Sequence, residues 1–195
     1  DVAGFDAALL GHGSLVMSNI SRGLFHSLTS GRLLVAPQHG IRGHYYRQFS
    51  RMSLAFAVTS EMVLMTLGGG LKRKESISAR LGDVLSLLYL GSAVLKHHYD
   101  HGSADEELPL LEWSCQDLLY NIQVRLHEVI NNLPNRFVAG VVRLLTFPMG
   151  KPYKPPSDKL GQQLAELLLS TSALRDRLTE GMKIREDTAE GDAPR

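Results

Sequence analysis

Cysteine, net charge and repeats are scarce in this sequence of 195 residues, and each scarcity excludes a class of protein. The single cysteine, Cys115, excludes an internal disulfide and a cysteine-based zinc site, which agrees with a reducing compartment. Lysine and arginine number 21 against 20 aspartate and glutamate residues, so the net charge is +1. Because a phosphate backbone is bound by a basic surface, this balance argues against nucleic acid as a partner.

A long, uninterrupted apolar run is also missing. The least charged stretch, Met52 to Leu71, is broken by Glu61 and by several serine, threonine and glycine residues. A membrane-spanning helix needs about 20 mainly apolar residues, so we predict no transmembrane segment. The chain starts with Asp1 and shows neither an initiator methionine nor a signal-peptide pattern. We therefore expect a piece of a longer, cytoplasmic protein.

The apolar residues recur every three or four positions, which is the period of an α-helix, and no segment alternates as a strand. These stripes predict four long helices, at about 5–30, 45–67, 77–95 and 112–132. Shorter helices are predicted at 137–147, after the N-cap Ser157, and at 174–182. The predicted fold is all-α: an antiparallel helical bundle of four main helices with shorter C-terminal helices.

The first predicted helix has one apolar face and many small residues. The apolar positions are Phe5, Leu9, Val16, Ile20 and Leu24. Between them lie Gly11, Gly13, Ser14, Ser18 and Ser21, and small residues allow a neighbouring helix to approach closely. Gly31 is a plausible end of this helix, and Pro37 predicts a connection at 35–40 because it biases the preceding residue away from helix.

Four regions follow from this pattern. Residues 1–147 form the main helical bundle, and 148–156 form a proline-rich strap that is extended and stiff. Residues 157–182 supply C-terminal helices packed on the bundle, and 183–195 form a charged, frayed tail. The acidic segment 104–109, between the third and fourth long helices, is predicted to be a solvated loop without a complementary charge.

The stretch Leu67 to Leu90 joins a triple glycine, Gly68 to Gly70, to a basic cluster and then to the most apolar helical pattern of the chain. The glycines are expected to end the preceding helix. Backbone N–H groups followed by Lys72, Arg73 and Lys74 could also bind phosphate. The order of a P-loop is missing, which favours a plain turn with a solvated basic rim.

The helix after this turn is expected to be buried on nearly all sides and therefore central. Arg80 and Asp83, three residues apart on it, are predicted to form an ion pair near the bundle surface.

Other candidate chemistry is weak. His97, His98, Asp100 and His101 include metal-ligating residue types, but their spacing does not suit one helix face. Gly11-His-Gly-Ser14 is only superficially similar to a hydrolase nucleophile turn, because no strand precedes it.

Cys115 lies on an apolar face, which predicts an inert core thiol. Glu61 is a lone carboxylate among apolar residues, and burial could raise its pKa enough for proton abstraction from carbon. A flank position or an ion pair with an arginine of the next helix is the alternative. Neither residue is assigned a catalytic role, and no cofactor-binding or metal-binding residue is assigned.

The segment Phe137 to Phe147 is short and apolar, with Arg136, Lys151 and Lys154 around it. Apolar faces with basic rims bind anionic lipid, so this helix could lie in a membrane interface. Packing onto the bundle is the alternative.

Several stretches together resemble the C-terminal helical region of the long bacterial acyl-CoA dehydrogenases of fatty-acid β-oxidation. They are Thr29–Arg32, Leu67–Asp83, Ser86–Lys96, Leu133–Arg136 and Pro155–Lys159. The resemblance covers nearly the whole chain in order. It implies a parent enzyme that oxidises acyl-CoA to trans-2-enoyl-CoA, in which a catalytic glutamate removes the α-proton and FAD takes the β-hydride.

That machinery is expected upstream of this chain, so FAD belongs to the parent enzyme and neither Glu61 nor the triple glycine receives a role. The resemblance implies a structural domain that packs on the upstream dehydrogenase module, through which acyl-CoA is bound. Homodimer formation and peripheral contact with the inner membrane through Phe137 to Phe147 are further expectations. The alternative function is a helical membrane- or partner-binding module with no enzymatic role.

Overall fold

The computed structural model describes residues 4, 11, 14, 18, 21, 35–102, 104–170 and 173–179. Across these ranges the chain forms helices and no strand, so the all-α prediction is confirmed. The helices are α1 (Gly40–Leu67), α2 (Glu75–Asp100), α3 (Leu108–Asn131), α4 (Arg136–Thr146), α5 (Asp158–Leu169) and α6 (Ala173–Thr179). Two short 3₁₀ turns, Gly68–Arg73 and Asp105–Glu107, connect the long helices.

Both ends of the predicted pattern lie outside the described residues. The helix expected at 5–30 is described only at Gly11, Ser14, Ser18 and Ser21, which are helical and exposed, as is Gly4 before it. The tail at 183–195, and the part of the last helix expected beyond Thr179, are likewise not among the described residues.

Three consecutive antiparallel helices, α1, α2 and α3, form the centre of the described bundle. Their inward residues form one apolar cluster that α4 and the segment after it complete. Fully buried members include Met52 on α1, Val84 on α2 and Ile122 on α3. Each such side chain contributes about 1.5–3 kcal/mol through burial, so this shared interior is the main source of stability.

The central helix is α3, and the expectation that α2 would be buried on nearly all sides is wrong. Every residue of α3 from Leu108 to Ile130 is buried or half-buried, because α1, α2, α4 and α5 all pack on it. In contrast, α2 exposes Leu85, Tyr89, Leu90 and Tyr99. Its leucine-rich sequence therefore carries an apolar face that the described neighbours leave uncovered.

The triple glycine ends α1 as predicted. Gly68 has a φ of +47°, a backbone conformation that favours glycine, and its N–H donates to the Leu64 carbonyl. The chain then makes the 3₁₀ turn and starts α2 at Glu75.

Polar caps start the shorter helices. The Asn135 side chain accepts hydrogen bonds from the N–H groups of Phe137 and Val138, which starts α4. Ser157 accepts from the Leu160 N–H and starts α5, as the sequence predicted. Between them, residues 151–156 have no regular structure and lie along the bundle.

By length and composition alone, Gly40–Arg73 and Glu75–Asp100 could cross a membrane. Both stretches belong to the bundle and pack against α3, and the core helix of a soluble protein meets the same criterion. The absence of a transmembrane segment stays a prediction.

Candidate functional site

A buried polar cluster joins α1, α2, the turn before α3, and α6. Arg42 Nε donates to His98 Nε2 over 3.0 Å, so the ring proton of His98 lies on Nδ1, which faces Glu107 Oε2 at 3.3 Å. Arg177 Nη2 donates to Glu107 Oε1 over 3.0 Å. Arg42 Nη2 also pairs with Asp105 Oδ1 at 2.6 Å. Every nitrogen of His98 and oxygen of Glu107 thus has a protein partner.

The expectation that segment 104–109 is a solvated loop without a complementary charge is wrong. Its first residues form the 3₁₀ turn Asp105–Glu107, and Pro109 stands in the first turn of α3. The carboxylates of Asp105 and Glu107 bind arginines from α1 and α6. Because those arginines lie 63 and 70 residues away, no local pattern could have revealed the pairing.

The candidate metal ligands do not converge. His98 points inward to Glu107. In contrast, the His101 ring lies on the His97 ring with centroids 4.0 Å apart, and His101 Nδ1 hydrogen-bonds to the His97 carbonyl. Asp100 accepts from Lys96 at 2.7 Å. Within the described residues no group of three histidine, cysteine, aspartate or glutamate side chains could hold a metal ion.

An apolar cleft of about 380 Å³ adjoins the cluster, between α2, α3 and α6. Leu90 and Val94 form one wall, Leu110 and Leu111 the other, and Leu178 closes one side. His98 and Glu107 also line it, but their polar atoms bond to the arginines and to each other. The cleft therefore offers apolar contact rather than acid–base chemistry.

A second buried cluster fixes the segment after α4. Arg51, on α1, is buried and donates to the Tyr153 hydroxyl at 2.8 Å and to the Thr146 carbonyl at 3.2 Å. The Tyr153 hydroxyl donates to Gln48 Oε1 at 2.7 Å. The backbone of Tyr153 exchanges two hydrogen bonds with the Gln123 amide, at 2.9 and 3.0 Å.

Arg51 carries its charge in this interior without a carboxylate partner among the described residues, and its Nε has no hydrogen-bond partner. The guanidinium carbon lies 5.7 Å from the centre of the Tyr153 ring, within range of a cation–π contact. Burial raises the pKa of Tyr153, and the Arg51 charge opposes part of that rise. Tyr153 therefore remains a neutral donor at physiological pH.

Sequence reasoning missed this cluster. The available signal was the spacing of Gln48, Arg51 and Ala55, which places two polar side chains on one face with an apolar residue. Tyr153, the single aromatic residue of the proline-rich segment, was the other signal.

The predicted Arg80–Asp83 ion pair is also wrong. Arg80 Nε pairs with Glu128 Oε2 at 3.1 Å, and Asp83 Oδ2 pairs with Arg125 Nε at 3.2 Å. Arg125 also bonds Glu128 at 3.0 Å, which completes a chain of four charges between α2 and α3. Hydrogen bonding from Arg125, together with that from Arg80, lowers the pKa of Glu128. Arg80 and Asp83 therefore both pair with residues of α3 rather than with each other.

The glycine turn does not fit the pyrophosphate of FAD. The Gly68 N–H bonds the Leu64 carbonyl and the Lys74 N–H bonds the Leu71 carbonyl, so these donors are already engaged. The adjoining cleft of about 370 Å³ places Glu75 beside Arg73 and Lys74. The Glu75 carboxylate repels an anion bound there, which makes this turn a poor site for the pyrophosphate of FAD.

The structure also places the other residues that were considered as candidates for catalysis. Cys115 is fully buried, and burial, together with the charge of Glu112, raises the pKa of its thiol to about 12, so the nucleophilic thiolate is absent. Glu61 is half-buried on α1 and has an interaction partner. Gly11 and Ser14 are helical, which is not the geometry of a nucleophile turn.

The predicted amphipathic segment forms α4, and its two faces have different environments. Ala139, Val142 and Thr146 are buried against the bundle. Phe137 and Leu144 point outward and are 79% and 64% exposed. The exposed cations Arg136 and Arg143 lie on the same helix, so the outward face is apolar with a basic rim.

These helices and buried polar clusters define an all-α domain in which buried charged side chains connect the helices to one another. Residues 1–193 match the family described as acyl-CoA dehydrogenase, C-terminal, bacterial type. The chain belongs to this family and is thus a C-terminal domain of an oxidoreductase. No solved structure matches the chain.

Proposed function

We propose that this chain is the structural C-terminal domain of an FAD-dependent enzyme that oxidises acyl-CoA to trans-2-enoyl-CoA in bacterial fatty-acid β-oxidation. It packs on the upstream dehydrogenase module, which binds the acyl-CoA and carries the catalytic residues. In such enzymes FAD supplies the acceptor for the hydride. The domain itself is non-catalytic and cytoplasmic.

One observation carries this proposal. Within the part of the chain that the structure describes, His98 and Glu107 form a buried acid–base pair, yet their polar atoms bond to Arg42, to Arg177 and to each other. Neither residue has a free atom directed at a substrate. Their role is to connect α2 with the turn before α3 and with α6.

The purified 195-residue chain tests the proposal directly. We expect it to be colourless and to give no reduction of an electron acceptor with palmitoyl-CoA, at any concentration of added FAD. Circular dichroism of the same sample shows whether the chain is helical, which separates a folded, inactive domain from an unfolded one. Yellow flavin that copurifies with the chain, together with turnover, would overturn the proposal.

A second candidate function is contact with an anionic membrane, which the outward face of α4 favours. Phe137 and Leu144 would enter the interface while Arg136 and Arg143 meet the headgroups. This contact would place the parent enzyme peripherally on the inner membrane. A homodimer through the same face is the competing use of the surface.

Flotation with vesicles of phosphatidylglycerol and phosphatidylcholine tests the membrane contact. We expect the chain to float, and the double variant Phe137→Ser with Leu144→Ser to remain in the dense fraction. The matched control is Leu85→Ser with Tyr89→Ser on α2, an apolar pair that is exposed to a similar extent. Equal loss of flotation in both variants, or no flotation of the parent chain, contradicts membrane contact through α4.

A further inference from the structure

The outward side of α2 carries no charge along its central part. In the range 79–93 the charged residues are Arg80 and Asp83, and both pair with residues of α3. At about 100° per residue, Gly82 and Ser86 fall opposite the buried residues of the helix. Both are exposed, so a second helix can come close to α2 along this line.

Large apolar side chains flank this line. Leu85 is 58% exposed, Tyr89 is 74% exposed and Leu90 is 51% exposed. Contact of such side chains with water is unfavourable, and an apolar surface of this kind marks a site of association. The face is therefore suited to a partner that presents an apolar surface of its own.

The two ends of the face carry opposite charges at matching distances from its middle. Glu75 stands 11 residues before Ser86, the middle of the range 79–93, and Lys96 stands 10 residues after it. Asp100 follows Ser86 by 14 residues, and Lys72, in the preceding turn, stands 14 residues before it. In two antiparallel copies of α2 that cross at Ser86, positions at equal distances on the two sides lie level. Each carboxylate of one copy then comes near the level of an ammonium group of the other.

We propose that this chain forms a homodimer in which α2 packs antiparallel on α2 of a second copy, about a twofold axis at Ser86. The same surface is used by both chains, so the contact closes at two copies and each side-chain pair occurs twice. A parallel pair would instead place Glu75 beside Glu75 and Lys96 beside Lys96. This self-association goes beyond the proposed role in the dehydrogenase and does not depend on it.

The charged ends can reach each other at the shallow crossing angle of about 20° that is common for packed helices. Lys96 is 74% exposed, and its Nζ lies 2.7 Å from Asp100 Oδ2 of the same chain. An ammonium group has three N–H donors, so Lys96 can bond Glu75 of the second copy while it keeps Asp100. The intrachain pair therefore does not compete with the proposed contact.

The size of the face sets the strength of the dimer. The 15 residues from Ala79 to Ala93 extend about 22 Å along α2. A contact of this length and one helix wide buries less than the roughly 1,200 Å² of a stable interface. We therefore expect a weak dimer that dissociates on dilution.

Sedimentation of the purified 195-residue chain at low and at high concentration measures this association. The variant Leu85→Ser with Tyr89→Ser should remain monomeric at the concentration where the parent chain is dimeric. Both side chains are exposed, so the core is unchanged, and circular dichroism checks that the variant is helical. The matched control, Phe137→Ser with Leu144→Ser on α4, should dimerise like the parent chain.

Charge exchange tests the antiparallel arrangement. Glu75→Lys alone and Lys96→Glu alone should each raise the Kd of the dimer about tenfold, because an attractive pair that occurs twice becomes repulsive. The double variant should return the Kd to that of the parent chain. Glu166→Lys, at an exposed position on α5, supplies a charge change away from the face and should leave the Kd unchanged.

Disulfide trapping locates the twofold axis, with Cys115→Ala as the background because Cys115 is the single native cysteine. A residue at the axis meets its own copy, so Ser86→Cys should give a disulfide-linked dimer on mild oxidation. Ser78→Cys is the matched control, since this serine is also exposed on α2 but stands eight residues from the axis. It should keep its free thiol.

Three results would each overturn the proposal. The first is a chain that stays monomeric at high concentration, which would leave the face to another partner such as the upstream module. The second is a dimer that the double serine variant of α2 does not weaken, because the contact is then made elsewhere. The third is equal trapping of residues 78 and 86, or a double charge variant as weak as the single ones.

Discussion

His127, on α3, is a buried histidine that keeps its neutral form in the folded protein. Its ring stacks on Phe147 with centroids 4.4 Å apart, and its Nε2 has no hydrogen-bond partner among the described residues. Burial, followed by the charges of Lys151 and Arg143, lowers its pKa to about 4 from 6.5. In the charged ring, a proton on Nε2 would have no acceptor among the described residues, and the positive charge would be repelled by Lys151 and Arg143.

The lowered pKa of His127 predicts a loss of stability in mild acid. Between pH 6.5 and 4 the unfolded chain binds a proton at residue 127 that the folded chain does not, so the free energy of unfolding decreases as the pH falls. The slope is at most about 1.4 kcal/mol per pH unit, the limit for one proton. Urea unfolding at a series of pH values measures it.

The variant His127→Leu should lose most of this slope, whereas His39→Gln, at an exposed position, should retain it. A slope that persists unchanged in His127→Leu would mean that other groups cause the acid sensitivity. Glu128 adds to the loss of stability near and below pH 4.5, because its pKa is lowered from that value, so the slope due to His127 is measured above pH 4.5.

At the scale of the elements, α1 and α2 are in tight contact at Gly91. A Cβ atom built at this glycine would overlap the ring of Phe49, which is buried on α1. Gly82, on the same helix, has no atom within 4 Å of such a Cβ. The two glycines therefore separate the effect of packing from the effect of helix propensity.

We expect Gly82→Ala to stabilise the protein by about 0.5–1 kcal/mol, because alanine loses less backbone entropy in a helix. Gly91→Ala should destabilise it by about 1–3 kcal/mol, because the Phe49 ring has to move within a packed interior. Thermal or urea unfolding of both variants provides the comparison. If both stabilise equally, α1 and α2 do not pack through residue 91.

The positions of the helices could be predicted from the sequence, whereas the identity of the central helix could not. Helix ends are set by local backbone chemistry at the glycines 68–70, at Asn135 and at Ser157. Such local chemistry can be recognised in the sequence. The burial of a helix, however, depends on which other helices pack against it in the folded protein. The leucine-rich pattern of α2 and the more polar pattern of α3 predicted that α2 is the more buried helix. The structure shows the reverse, because α3 has packing partners on all sides.

At the scale of the whole molecule, the missed features are pairings over long sequence separations. Arg80 meets Glu128 over 48 residues, and Arg51 meets Tyr153 over 102 residues. Periodicity places each side chain on a face but does not choose its partner. For this reason the predicted Arg80–Asp83 pair, which used the nearest opposite charge in sequence, was wrong. The absence of catalytic residues in this chain stays a prediction.

The bonds between Arg51 and residues 146–153 also determine the order in which a growing chain can finish folding. While the first 145 residues leave the ribosome, the guanidinium of Arg51 has none of the acceptors that it finds in the finished protein. It must stay hydrated until Tyr153 emerges, because an unpaired buried charge is costly. Completion of the bundle interior therefore waits for a segment made late in synthesis, and a truncated product should remain open at that face.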